Sequence, residues 1–333
     1  MFRILRLATY TSILVLGGIA SGASAAELKV VASFSIIADL ARNVGGERVD
    51  LSSLVGPDGD AHVYQPRPAD AAALEGADVV LVNGLQFEGF MSRLIETSGT
   101  KAAVVEVSKG IEPLKNAEEE HGHDAETKAE AGHDHAGEDH AKAAHDDHGH
   151  EGPHDHGEFD PHAWQSIHNA ETYVKNIAEA FCEADQAGCA TYTTNSEAYL
   201  AKLAELETEV KAAVGAIPAD KRTIITSHDA FGYLERDYGL KFIAPEGVST
   251  EAEASAADVA KLIDQVKEDQ ASAIFLENIA NPRLVEQIAS ETGLTVGGTL
   301  YSDALSGLDG PAPTYIDMFR YNVNTIKSAI IGG

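Results

Sequence analysis

The chain is poor in cysteine, with two in 333 residues, and it holds one tryptophan, three methionines and only 6% aromatic residues. Two thiols are too few for a thiolate cluster or a disulfide-built scaffold, so an ordinary apolar core has to carry the fold. Positive charge is scarce too: 24 Lys and Arg against 53 Asp and Glu give a formal charge of -29. Nucleic acid and anionic membrane both require a basic surface that displaces counterions, so the charge argues against both as partners. Cationic cargo fits better. At 333 residues the chain is long enough for two lobes of ordinary size, each expected to have its own core.

Residues 1–25 carry Arg3 and Arg6, an apolar run from Ile13 to Ile19, and then Ala23-Ser24-Ala25. A basic start, a short apolar stretch and a small-x-small pattern predict a secretory signal peptide, because the run is too short to span a bilayer. No cysteine stands at the cleavage point to take a lipid, so the mature chain is expected to be exported and soluble, in a bacterial periplasm. In that compartment Cys182 and Cys189 predict a short disulfide clamping a helix end to a turn, rather than half of a metal site.

What the chain has in excess is histidine. Ten of its 14 imidazoles (His121, His123, His133, His135, His140, His145, His148, His150, His154 and His156) fall between Glu118 and Glu158, among Asp, Glu and Gly. A stretch with almost no large apolar residue cannot build a core. It predicts a disordered His-rich insert over 116–158 that offers nitrogen and oxygen ligands to metal ions. The alternative is an acidic spacer in which histidine is incidental. The same window has fourteen carboxylates against Lys128 and Lys142, a net -12, so -17 of the -29 is spread over the remaining chain.

Outside the insert, short β-branched runs alternate with helically spaced apolar residues. Leu28 to Phe34, Val49 to Val55, Ala77 to Asn83 and Ala102 to Val107 predict strands, separated by helices near Ile36, Ala69 and Phe90. A helix over Ser166 to Ala184 follows, and then a long one over Ala190 to Val214 with Tyr199, Leu203, Leu206 and Val210 in a stripe. A second series of strands (Arg222 to His228, Lys241 to Ala244, Ala273 to Leu276, Thr295 to Leu300) alternates with helices and closes with Tyr315 to Ile330. The fold class expected is α/β: two similar βα lobes of parallel sheets flanked by helices, at 27–189 and 221–333, joined by a long rigid helix at 190–216.

In such sheets ligands bind beyond the carboxyl ends of the strands. His62 follows the second strand, His228 ends a strand, Asp303 follows the last one, and His162 lies in Asp160-Pro161-His162. Taken singly, each has an ordinary structural role open to it. Together, three imidazoles and one carboxylate would complete a tetrahedral zinc shell in the cleft between the lobes. No position would remain for a reacting water, which points to carriage of Zn2+ rather than catalysis. A secreted zinc hydrolase would need an open coordination position and a base, on a helical His-Glu-x-x-His or beside a Gly-x-Ser-x-Gly nucleophile, and the chain offers neither constellation. His168 is expected on the surface of a helix's first turn, and Trp164 to pack beside the site.

In order, Asp60-Ala61-His62-Val63-Tyr64-Gln65-Pro66, Asp160-Pro161-His162-Ala163-Trp164, Ser227-His228-Asp229-Ala230-Phe231-Gly232-Tyr233 and Tyr301-Ser302-Asp303 resemble the four ligand segments of the cluster A-I solute-binding proteins of ABC transporters. Each segment alone is a weak signal; the ordered set is specific and spans essentially the whole mature chain. The resemblance implies a zinc or manganese carrier with small lobe motion, metal ligands His62, His162, His228 and Asp303, and delivery to a membrane permease. Histidine at the third ligand position, His228, resembles the zinc branch, where the manganese branch typically has glutamate. The His-rich insert resembles the zinc proteins of the ZnuA and AztC types. Ala61 stands where ZnuA-type proteins often have an acidic residue, which makes the chain more similar to the AztC type and implies loading by a periplasmic zinc metallochaperone. A monomer is expected.

Overall fold

The computed structural model describes residues 28–116, 157–252 and 254–332. The signal-peptide expectation, and all of the His-rich insert except its two roots, lie outside the described residues. The described chain runs β1 (Leu28–Phe34), α1 (Ser35–Gly45), β2 (Val49–Val55), α2 (Pro68–Glu75), β3 (Val79–Val82), α3 (Met91–Ser98) and β4 (Ala103–Glu106). It continues as α4 (Ile167–Ala184), α5 (Cys189–Gly215), β5 (Thr223–Ile225), α6 (Gly232–Tyr238), β6 (Lys241–Ile243), α7 (Ala256–Glu268), β7 (Ala273–Glu277), α8 (Pro282–Thr292), β8 (Val296–Leu300) and α9 (Tyr315–Ile331).

Two four-stranded sheets result, ordered β2-β1-β3-β4 and β6-β5-β7-β8, with every pairing parallel. Each sheet reverses its winding beside its first strand, and that reversal opens a crevice at the carboxyl edge where loops can meet a ligand. The expected two-lobe α/β fold is what the chain forms. Helical cover on both faces explains why β3, Val-Val-Leu-Val, is buried at every position: in a parallel sheet neither face is left to water.

The lobes do not have the separate cores that length alone suggested. One apolar cluster runs from Val30 and Phe34 in the first sheet, through Tyr192, Leu203 and Val210 on α5, to Phe231, Phe275 and Phe319 in the second lobe. The cause is the stripe on α5, where Tyr192, Ser196, Tyr199, Leu203, Leu206, Val210 and Val214 recur at three- and four-residue spacing and are all buried. Helix α5 packs along α1 and α4 of the first lobe and α9 of the second. It is a spine shared by both lobes rather than a free connector. Smaller clusters lie under α7 and α8, around Ile274, and under α2 and α3, around Val80.

Two local devices fix the joints. Cys182 and Cys189 form a disulfide across the α4–α5 corner. Beside it Arg48 meets Asp185 at 2.6 Å and Tyr192 donates to the same carboxylate at 2.8 Å. The roots of the insert are zipped together: Lys115 and Phe159 bridge antiparallel, and Asn116 N–H donates to Glu158 O at 2.9 Å. The two described ends of the insert therefore stand side by side. Replacing both Cys182 and Cys189 by Ser is expected to cost about 2–3 kcal/mol, the loop-closure entropy for so short a loop. A lower urea midpoint at unchanged slope is the readout, and an unmoved midpoint contradicts the clamp.

Candidate metal centre

His62 lies in the loop after β2, His162 just before a short 3-10 turn at Ala163–Gln165, His228 three residues beyond β5, and Asp303 three residues beyond β8. The structure brings all four together. One nitrogen or oxygen from each lies within 4.8 Å of every other, and all four side chains are buried. Asp303 is the hub. Its Oδ2 is 3.1 Å from His62 Nε2 and 3.1 Å from His228 Nε2, and its Oδ1 is 3.6 Å from His162 Nε2. Four donors around a zinc-sized ion at bond lengths of about 2.0–2.2 Å stand about 3.3–3.6 Å apart, so a contraction of the order of 1 Å at the widest pair closes the shell. His162 Nε2 and Asp303 Oδ1 are buried and have no hydrogen-bond partner. Buried polar atoms without partners are costly, and two that face the same small space match the donor set of a cation.

Each ligand candidate is held by a different part of the chain. Asp160 Oδ1 accepts the His162 backbone N–H at 2.9 Å and stands 2.8 Å from His162 Nδ1. Gly232 makes room for that carboxylate, since a Cβ there would lie 2.8 Å from Asp160 Oδ2. Glu277, at the end of β7, accepts the backbone N–H groups of Ser227 at 2.7 Å and His228 at 3.0 Å through Oε1. Its Oε2 is 2.7 Å from His228 Nδ1. Asp60 accepts the His62 N–H at 2.9 Å and the Thr250 hydroxyl at 2.7 Å, tying the first lobe's loop to the second lobe. Trp164 packs beside the site as expected, 5.3 Å from His162 and 4.6 Å from Phe87 between ring centroids, while its Nε1–H donates to Ser302 O at 2.9 Å. His168 is exposed in the first turn of α4, away from the cluster.

Burial and charge oppose one another here, and charge wins at three groups. Burial pushes His162 down, but the carboxylates of Asp303 and Asp160 raise it to about 9. Burial likewise opposes the charge on His228, yet Glu277 and Asp303 hold it well above the usual imidazole value. Burial would raise Asp303, but the imidazoles of His228 and His162 hold it well below the usual carboxylate value. His62 is the exception: its desolvation outweighs Asp303 and its pKa falls. The neighbouring carboxylates thus favour the protonated form at His162 and His228, while burial favours the neutral form at His62.

Of these residues, Glu277 and Phe87 were not singled out from sequence. Asp160 was legible two residues before His162, whereas Glu277 reaches His228 across 49 positions and gave only an acidic residue closing the apolar run Ala-Ile-Phe-Leu. Glu88 was missed too. It lines a cavity of about 300 Å³ that opens beside His62, together with Gln86, Phe87, Pro161, Val248 and Glu251. Its carboxylate accepts the Ser33 hydroxyl at 2.5 Å and the Asn83 N–H at 2.7 Å.

The chain matches the family described as "Zinc-uptake complex component A periplasmic" over residues 30–329. It is 33% identical over 303 residues to the iron-binding protein YfeA of Yersinia pestis, covering 91% of this chain and 86% of that protein. It is 32% identical over 309 residues to the manganese-binding lipoprotein MntA of Bacillus subtilis, covering 91% and 90%. Among solved structures, the periplasmic zinc-binding protein TroA of Treponema pallidum superposes with a TM-score of 0.77 at 28% identity, covering 91% of this chain and 99% of that one.

Complete burial raises Glu88 to about 7 against its hydrogen bonds from Asn83 and Ser33. The folded protein therefore holds a proton that the unfolded chain has lost between about pH 4.5 and 7, and stability falls as pH rises through that window. Glu88→Gln keeps the acceptor oxygen and removes the titration. Relative to the native protein the metal-free variant is expected to gain about 3 kcal/mol between pH 4.5 and 8, read by urea unfolding. A difference that stays flat with pH contradicts the assignment.

Proposed function

We infer, from the premise that this chain belongs to the ZnuA family of periplasmic metal-uptake components, that it captures zinc and hands the ion to an ABC-transporter permease. The protein is a metal-binding solute-binding protein and not an enzyme, and such proteins work with a membrane permease. The finer reading rests on the convergence of His62, His162, His228 and Asp303, one donor each, within 4.8 Å. Three imidazole nitrogens and one carboxylate favour zinc over manganese, because nitrogen donors raise affinity along the order in which zinc stands well above manganese. Four protein donors complete a tetrahedral shell and leave no coordination position for an activated water, as storage or carriage requires.

His-Glu-x-x-His spacing does occur once, at His150-Glu151-Gly152-Pro153-His154 in the insert. Gly152 and Pro153 oppose the helix that would set two histidines on one face, so the match does not revive a hydrolase. The relatives named for manganese and iron favour one second reading, a manganese carrier of the same fold. The donor set speaks against it, because the position after β5 is an imidazole rather than a carboxylate. The Ala61 position and the His-rich insert support the AztC type, with a periplasmic zinc metallochaperone as the loading partner.

Carriage implies proton exchange. Neighbouring carboxylates favour the protonated forms of His162 and His228 in the metal-free pocket, so an entering ion competes with protons there. Zinc binding is expected to release protons at pH 7, and affinity is expected to rise with pH up to about 9, the value to which its carboxylate neighbours raise His162. Calorimetry in buffers of different ionisation enthalpy reads the proton count. His228→Ala is expected to weaken zinc at least about 100-fold. Native-like zinc affinity in that variant, or a native site that prefers manganese in direct competition, overturns the reading.

A further inference from the structure

We propose that Glu277 is a positioning residue that fixes His228 in the one tautomer able to bind the ion. The proposal rests on the reading of His228 as a ligand. Glu277 is fully buried at the carboxyl end of β7 and touches no atom that would meet the cargo; it acts through His228. Its two oxygens have different tasks. Oε1 accepts two backbone N–H groups, Ser227 at 2.7 Å and His228 at 3.0 Å, and so sets the path of the chain where it leaves β5. Oε2 faces the ring, 2.7 Å from Nδ1, off the axis of a straight N–H hydrogen bond but at close ion-pair distance.

At that distance the lone pairs of a carboxylate and of an unprotonated nitrogen would repel. The Nδ1 position therefore carries the proton, and the lone pair of the neutral ring lies on Nε2. That nitrogen points at Asp303 Oδ2, 3.1 Å away, in the centre of the donor cluster. A carboxylate behind a metal-bound imidazole both orients the ring and makes its ligating nitrogen more basic.

The three imidazoles are not supported alike. His162 has Asp160 at its Nδ1, 2.8 Å away, as His228 has Glu277. His62 is held through its backbone N–H by Asp60 instead. Two rings are thus clamped by carboxylates, and the third, beside the open cavity, is held by its main chain.

Glu277→Gln separates positioning from a purely structural role. The two backbone N–H groups require an acceptor, so the amide oxygen takes the place of Oε1 and the NH2 group faces Nδ1. A donor there forces Nδ1 to accept, moves the ring proton to Nε2 and blocks the ligand position. Zinc affinity is expected to fall 10–100-fold in Glu277→Gln. In the His228→Ala background the same change is expected to cost less than about threefold, since the ring it positions is gone.

In cobalt-loaded protein the visible ligand-field bands of Glu277→Gln are expected to move to those of His228→Ala, a change that loosened packing alone does not produce. Circular dichroism of the metal-free variant checks the fold. If the Gln variant does not fold, Glu277→Asp, which keeps the acceptors but withdraws them by one methylene, is carried through the same cycle with the same expectations. Native-like zinc affinity in the variant while His228→Ala is impaired, or a loss that adds fully to that of His228→Ala, overturns the positioning role and leaves the ligand assignment standing. Native-like affinity in His228→Ala overturns the ligand assignment itself.

Discussion

The structure depends on one buried carboxylate. Asp303 has no solvent exposure, and its two oxygens face three imidazoles that come from three separate loops. Burying a lone carboxylate, or the partly protonated imidazoles without it, would cost several kcal/mol per charge. Their convergence turns that cost into a matched cluster of opposite charges.

The rest of the fold keeps those loops in register. Trp164 and Gln165 from the first half both donate to Ser302 O, next to Asp303, at 2.9 and 2.7 Å. The Tyr315 hydroxyl at the start of α9 donates to Trp164 O at 2.7 Å, and the Tyr233 hydroxyl donates to Asp160 O at 2.8 Å. With the apolar core continuous through α5, these bonds make a seam that resists wide hinge opening. At the margin of the site the cavity beside His62 is bounded by Gln86, Val248 and Glu251, and Thr250 meets Asp60.

Much of this was legible in the residues. Continuous apolar runs such as Val79–Val82 and the stripe on α5 carry the βα alternation, because parallel strands and an embedded helix leave periodic or unbroken burial. The four ligand candidates stood out because each follows a strand or a Pro-His turn. What was not legible is what depends on contacts across long separations. The strand expected to run to His228 stops at Ile225, because the Ser227 and His228 N–H groups leave the ladder for Glu277, roughly fifty positions away. The continuity of the core through both lobes was hidden for the same reason: it depends on which helices α5 meets, which its own stripe does not specify.

The Nε2 atoms of His62, His162 and His228 and the carboxylate of Asp303 are placed so that together they could hold one ion. Diffraction from protein loaded with one equivalent of zinc, recorded on both sides of the zinc absorption edge, tests it most directly. A single anomalous peak is expected at about 2.0–2.2 Å from those four donors, with no water bound to it. A peak that lies elsewhere, or one whose shell omits Asp303 in favour of water, contradicts it.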